Sequence, residues 1–142
     1  MKQYQIVIDT NVFYAAMRSQ RGASYKLLSL LDRDKFKVNL SIPLICEFED
    51  VAKRNLEVLA VSETELDDIL DHICSVANRR KIFFLWRPFL KDPKDDFVME
   101  LAVEAQCDFI VTYNQKDFKG IEKFGLKAVT PKEFLQLIGE IL

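Results

Sequence analysis

The stretch Gln5-Ile6-Val7-Ile8-Asp9-Thr10-Asn11-Val12 decides the fold. Three apolar residues follow polar ones and end on an acid, which reads as a short buried strand. A helical pattern starts at once, roughly Asn11 to Met17, and runs into the polar break Arg18-Ser-Gln-Arg-Gly22. Working outward, Ser24 to Leu31 carries Leu27, Leu28, Leu30 and Leu31 and reads as a helix. Lys35 to Ile42 alternates loosely through Phe36, Val38, Leu40 and Ile42, the pattern of a second strand. Ser41-Ile-Pro43 opens a helix with proline at its start, running to about Arg54.

The second half repeats the theme. Ser62-Glu-Thr-Glu65 is a capping box, and Leu66, Ile69, Leu70, Ile73 and Val76 then keep the helical period. His72 falls beside that stripe, towards its polar side. Asn78 to Lys81 is polar, and Ile82 to Trp86 is the next predicted strand. Asp92-Pro-Lys-Asp-Asp96 reads as a turn and helix start, with Asp95 or Asp96 as the N-cap. Val98, Leu101, Ala102 and Ala105 form that helix's apolar face. Asp108 to Thr112 is another strand. Lys116 to Phe124 is a short amphipathic piece stopped by Gly125. Lys127 to Val129 is a last short strand. Thr130-Pro-Lys-Glu133 is a second capping box, starting a terminal helix with Phe134, Leu135, Ile138 and Ile141 inward.

Strands alternating with helices predict an α/β fold. Parallel strands need crossover helices, so the expectation is a three-layer sandwich: a mainly parallel central sheet flanked by helices. The 142 residues suffice for one core and not for two ordinary ones, so residues 1–142 are read as a single domain.

Composition narrows the chemistry. Apolar residues make up 49% and charged residues 30%, as in a globular chain. The 20 basic and 22 acidic residues leave a net charge of −2, which excludes gripping nucleic acid by bulk positive charge but not by a local basic rim. No apolar run approaches the roughly 20 residues of a membrane span, and the N-terminal run is too short for a signal peptide. A soluble cytoplasmic protein with no membrane partner is expected. Cys46, Cys74 and Cys107 are odd in number and far apart, with no CxxC pair. That argues against a zinc ribbon or a thioredoxin-like site and predicts three buried free thiols. His72 is the single histidine, which excludes a histidine-rich metal site.

In parallel sheets ligands sit at the carboxyl ends of strands. Asp9 directly follows the first strand, and Glu47 lies one turn into the helix after the second. Asp92, Asp95 and Asp96 lie where the next helix starts, and Asn114 and Asp117 follow the Phe109 strand. Several carboxylates at one sheet edge repel unless a cation joins them. Hard oxygen ligands without histidine point to Mg²⁺ or Mn²⁺. One such ion, or two about 4 Å apart, can deprotonate a water and stabilise the leaving oxygen of a phosphodiester. Singly, each carboxylate also reads as a cap or turn residue. Glu47 is the sharper case, because Leu44-Ile45-Cys46-Glu47-Phe48 surrounds it with apolar neighbours.

The run Ile6-Val-Ile-Asp-Thr-Asn-Val12 resembles the opening motif of PIN-domain ribonucleases, which include toxins of toxin–antitoxin pairs. Ser41-Ile-Pro-Leu-Ile-Cys-Glu-Phe-Glu-Asp-Val51 with Arg54 resembles the second acidic motif of that family. Asp92-Pro-Lys-Asp-Asp96 followed by Glu100-Leu-Ala102 resembles the third. Asp108-Phe-Ile-Val-Thr-Tyr-Asn114 with Asp117-Phe118 resembles the fourth. Each motif is weak alone; four in order over about 120 residues are strong together, and the subgroup they look like is the VapC-like toxin.

The resemblance implies a metal-dependent endoribonuclease acting through Mg²⁺ or Mn²⁺, leaving 5′-phosphate and 3′-hydroxyl ends. Asp9, Glu47 and Asp95 would be catalytic metal ligands, with Asp96 the choice after a one-residue slip. Asn114 and Asp117 would add oxygens. Asn11 would hold nearby backbone or a ligand, and Thr112 would orient the carboxylates. Asn114 departs from the subgroup, which usually has Asp there. It keeps an oxygen, removes a charge, and leaves a second metal open. Lys26, Arg33, Lys53, Arg54, Lys91, Lys94 and Lys116 are candidate phosphate contacts. The implied partners are RNA, an antitoxin protein and a second copy in a homodimer. Two rivals are weighed. A haloacid-dehalogenase-like phosphatase needs a second Asp where Asn11 stands. A catalytically weak or inactive PIN-like scaffold that binds RNA or protein is kept open by Asn114.

Overall fold

A computed structural model of the chain describes residues 3–81 and 93–142, with backbone alone over residues 93–96. Strand β1 (Tyr4–Ile8) leads directly into helix α1 (Thr10–Arg18), and Asp9 is the hinge between them. Helix α2 (Ala23–Ser29) precedes β2 (Phe36–Leu40). Proline near the start and the Ser41 hydroxyl, which accepts from the Leu44 amide, set the first turn of α3 (Ile42–Lys53). The Ser62–Glu65 capping box starts α4 (Glu63–Val76), as its sequence predicts. Then come β3 (Asn78–Arg79), α5 (Pro93–Glu104), β4 (Phe109–Val111), β5 (Lys127–Val129) and α6 (Pro131–Leu137). The Thr130–Glu133 capping box is formed at the head of α6. Two single 3₁₀ turns, Gln115–Phe118 and Ile121–Phe124, replace the amphipathic piece expected before β5. Gly125 takes φ +78 and ends the second turn, a conformation that costs a side-chain-bearing residue more.

The five strands form one sheet in the order β3-β2-β1-β4-β5, and every pairing is parallel. Tyr4 registers with Phe36, and Ile6 with both Val38 and Phe109. The chain steps outward from β1 to β2 to β3, then crosses back to β4 on the other side of β1. Right-handed crossovers therefore place the connections on opposite faces. On one face the Phe134 ring of α6 meets Tyr4, Phe36 and Phe109 edge-on, at centroid separations of 5.3–6.2 Å. On the other, Cys107, just past α5, meets the side chain of Asn39. The result is the three-layer α/β sandwich expected.

One strand is added and two expectations change. The third strand sits on the polar residues Asn78–Arg79, held by Leu40, whose carbonyl accepts from the Arg80 amide; the apolar run Ile82–Trp86 lies outside the described residues. Helix α5 already begins at Pro93, so Asp95 and Asp96 stand in its first turn and neither is the N-cap. Only Cys107 is a buried thiol, its pKa pushed up to about 12 by burial; Cys74 is half-buried, and Cys46 on α3 is exposed. Apolar sequence neighbours do not bury Cys46, because adjacent residues on a helix point about 100° apart.

Candidate active site

The chain leaves β1 towards β2 on one side and returns to β4 on the other, which opens a crevice at the carboxyl ends of β1 and β4. Asp9 ends β1 there, and Thr112 ends β4 beside it. The Asp9 amide donates to the Val111 carbonyl at 2.9 Å, so the sheet ladder itself fixes the Asp9 backbone. Its side chain then caps α1 by accepting from the Thr10 amide at 2.8 Å. The other carboxyl oxygen accepts from the Thr112 hydroxyl at 2.8 Å and from the Asn11 amide at 3.4 Å.

Thr112 is wholly buried and uses every hydrogen-bonding capacity of its hydroxyl. It donates to Asp9 and accepts from the Asn11 side chain at 3.3 Å and the Asn114 amide at 3.0 Å. Asn11 closes the loop, accepting from the Tyr113 amide at 3.3 Å. Asp9, Asn11, Thr112 and Asn114 thus form one bonded unit across the crevice.

Glu47 arrives from α3. The Phe13 and Phe48 rings stack in parallel 4.5 Å apart, packing α3 against α1. Glu47, next to Phe48, is thereby aimed at the start of α1, where its carboxylate accepts from the Thr10 hydroxyl. Thr10 has no role in the sequence reading; its signal is a hydroxyl set between Asp9 and Asn11. Asp117 is exposed on the first 3₁₀ turn, which buried Phe118 pins to the body.

Electrostatics bind the three acids together. Burial, first of all, raises the Asp9 pKa above its ordinary value, and the charges of Glu47 and Asp117 raise it further. Hydrogen bonds from Thr112 and Thr10 oppose the shift. A raised carboxyl in this cluster is expected from like-charge repulsion; desolvation proves the larger cause. The side chains of Asp95 and Asp96 lie outside the described ones, on the first turn of α5. Among the described residues no three acidic, cysteine or histidine side chains converge closely enough to hold a metal ion. The donor set at the crevice is nonetheless all oxygen, and His72 stands apart on α4. That chemistry suits a hard divalent cation and not zinc.

Of the seven expected phosphate contacts, several are engaged elsewhere. Lys53 pairs with Glu49 and Asp67, Arg54 with Asp50, and Lys26 donates to the Glu140 carbonyl. Lys91 and the side chain of Lys94 lie outside what is described. No helix among the described residues is long and apolar enough to cross a membrane.

Comparison with known proteins agrees with this architecture. The chain is 28% identical over 145 residues to Uncharacterized protein MJ1680 of Methanocaldococcus jannaschii, across 93% of this chain and 90% of that one. Its fold is similar to a crystal structure of VapBC2 from Rickettsia felis bound to a DNA fragment from their promoter. That likeness has a TM-score of 0.60 and 16% identity over 87% of this chain and 98% of that chain. The family model for the PIN domain matches residues 5–116, a span that holds β1, Asp9, Glu47, α5 and Asn114; the chain belongs to the PIN domain family.

Proposed function

We propose that this chain is a metal-dependent endoribonuclease of the toxin type, hydrolysing RNA phosphodiester bonds in the cytoplasm. One observation carries the reading: Asp9 is buried at the crevice of the sheet with its pKa raised, beside two further acids. A buried carboxyl that burial and neighbours push towards neutrality is a hallmark of functional sites. Membership of the PIN family supports the nuclease class.

Asp9, Glu47 and Asp95, or Asp96 in its place, would hold Mg²⁺ or Mn²⁺, with Asn114 and Asp117 as further oxygens. Such an ion supplies Lewis acidity towards the phosphodiester and lowers the pKa of an attacking water. The chain's own residues supply orientation. Thr112 and the Thr10 amide hold the two oxygens of Asp9, and the Thr10 hydroxyl holds Glu47. Asn11 ties the β1 end to the β4 end, so both walls of the crevice keep their spacing. An antitoxin protein is the partner suggested by the fold's likeness to a VapBC complex, and a homodimer is proposed with it from the family resemblance alone. A second reading, a PIN scaffold without activity, is favoured by one residue: Asn114 brings no charge to the crevice.

The test is cleavage of a labelled RNA with Mn²⁺ or Mg²⁺, with EDTA as control and thermal melting in parallel. Asp9→Asn is expected to lose 100-fold or more in rate, about 2.7 kcal/mol at the transition state, while keeping its fold. A parent protein that cuts nothing with either ion establishes the scaffold. An Asp9→Asn protein that cuts as well as its parent makes Asp9 structural.

A further inference from the structure

The outer end of the same sheet edge carries a second feature. A cavity of about 410 Å³ opens where β2 and β3 end, lined by Leu40, Ser41, Ile42, Ile45, Cys74 and the run Arg79-Arg80-Lys81. Its size is within the range of ligand sites. Its floor is aliphatic and its rim is cationic; none of the lining residues is acidic. Ile42 is 75% exposed, an unusual position for a large β-branched side chain.

Two of the three cations, Arg79 and Lys81, make no side-chain hydrogen bond or ion pair among the described residues. Among the described residues, none of Arg79, Arg80 and Lys81 is in an ion pair, unlike Lys53 or Arg54. Their placement is built in. The Arg80 amide donates to the Leu40 carbonyl at 2.8 Å, and its Nε donates to the Asn39 side chain at 3.3 Å. Arg80 is thus pinned to the sheet, which sets Arg79 and Lys81 at the cavity. The N-terminus of α3, a helix of twelve residues, adds the positive end of its dipole at Ile42. Another cavity, between α2 and α4, has the opposite character: Asp32 and Asp68 stand on its rim with His72.

Position relative to the acids gives the cavity a role. Ile42 and Glu47 share α3, five residues apart, which is roughly 7.5 Å along the helix axis. They also lie about 140° apart around it, so Glu47 faces α1 while the cavity opens on the other flank of α3. A strand whose phosphate lies at Asp9 and Glu47 reaches the cavity by rounding the start of α3, a few nucleotides further along. We propose that the cavity is a nucleotide subsite for the RNA strand: Arg79 and Lys81 hold a phosphate a few nucleotides from the scissile one, and a base packs on Ile42 and Ile45. The proposal rests on the ribonuclease reading for the identity of the strand. It accounts for cations outside any described ion pair and an exposed isoleucine that the acid cluster leaves without a task. It also supplies the local basic rim that a chain of net charge −2 needs to hold a polyanion.

The experiment measures binding of a labelled single-stranded RNA to the full chain in EDTA, by anisotropy across a salt series. Metal-dependent cleavage of the same RNA is followed in parallel. The double variant Arg79→Ala/Lys81→Ala is expected to bind about tenfold more weakly, with the salt slope falling by about 0.7 for each phosphate left without its cation. Ile42→Ala is expected to bind about threefold more weakly with the slope unchanged, because it removes apolar surface only. The charge-conserving Arg79→Lys/Lys81→Arg should keep the parent slope. Melting curves check that all variants fold. Variants that bind with parental affinity and slope overturn the subsite, as does a parent that binds no RNA. A parent that binds, whose double variant does not, and which yet cleaves nothing leaves the subsite standing and removes the nuclease reading.

Discussion

Asn39 and Asp9 are both buried polar side chains on adjoining strands of one sheet, and their surroundings are opposite. Asn39, wholly buried in β2, donates to the Gln5 side chain at 3.1 Å, the Ile6 carbonyl at 3.3 Å and the Cys107 sulfur at 3.4 Å. Its oxygen accepts from Asn78 and Arg80, each at 3.3 Å. Its two amide hydrogens are shared among three acceptors and its oxygen accepts two bonds, all with protein groups. At Asp9 acceptors accumulate. The buried Asp9 carboxylate feels the charges of half-buried Glu47 and exposed Asp117, and burial raises its pKa. A fully bonded polar network specifies a structure; a buried carboxylate with other acids near it is the kind of group that functional sites hold.

The largest expected effect falls on the Asn39 side. Asn39→Leu removes a partner from the Ile6 carbonyl and from the Arg80 Nε and leaves the Gln5 and Asn78 side chains to bond each other. Each unsatisfied buried group costs about 1–3 kcal/mol, partly offset where exposed Arg80 reaches water. A drop of about 3 kcal/mol in denaturant unfolding is expected, with Mn²⁺ affinity per folded molecule unchanged. Weakened metal binding in this variant would merge the two networks into one.

Next in size is Thr112→Val. The methyl group replaces the hydroxyl at nearly equal volume, but Asp9 loses a donor and the Asn114 amide an acceptor. Partners that orient a ligating side chain typically matter 10- to 100-fold in metal affinity. A fall of about tenfold in Mn²⁺ affinity by isothermal titration is expected. An unchanged affinity would show that Thr112 serves packing only.

Asn114→Asp sharpens the comparison by adding an acid. Asn114 is exposed, and its bond within the unit is made by its backbone amide, which the substitution keeps. One more negative charge at the crevice should tighten Mn²⁺ binding about threefold to tenfold, or about 1 kcal/mol at surface screening. It should also lower metal-free stability slightly by repulsion from Asp117 and Asp9. Tighter binding with no gain in cleavage would favour the scaffold reading.

The Asn39 network is the less legible of the two in the sequence. Asp9 and Glu47 stand out because strand ends and helix starts can be read from apolar periodicity, and ligands gather there, whereas Asn11 and Thr112 enter only through the family resemblance. The capping boxes at Ser62 and Thr130 are equally plain, being local in sequence. Asn39 and Asn78 lie 39 residues apart and meet only once β2 and β3 pair. Strand β3 itself has two polar residues, so no alternation betrays it; backbone bonding from Leu40 makes it a strand. The register of Arg79 and Lys81 beside Ile42 is a product of the same pairing. Cys46 shows the converse failure, where sequence neighbours mislead about three-dimensional ones.

The smallest effect is a pH dependence in the absence of metal. Burial raises the Asp9 pKa above 3.8, while bonds from Thr112 and Thr10 pull it back, so the net shift is a remainder of opposed causes. A carboxyl raised on folding favours the folded state when protonated. That contribution is complete below the ordinary value of 3.8 and is lost as pH rises through the raised one. The parent in EDTA should therefore lose some stability across this window, and Asp9→Asn, which does not titrate there, should not. The asparagine keeps an oxygen for the Thr10 amide, so the cap on α1 survives. Melting temperatures of the two proteins should draw apart as pH climbs from the acid side and run parallel above the raised pKa, with Asp9→Asn the more stable. Saturating Mn²⁺ should then reverse their order, because an ion bound only to the folded parent adds stability that the variant cannot gain. Curves that stay parallel throughout in EDTA would place Asp9 with Asn39, as a polar group whose partners already suffice.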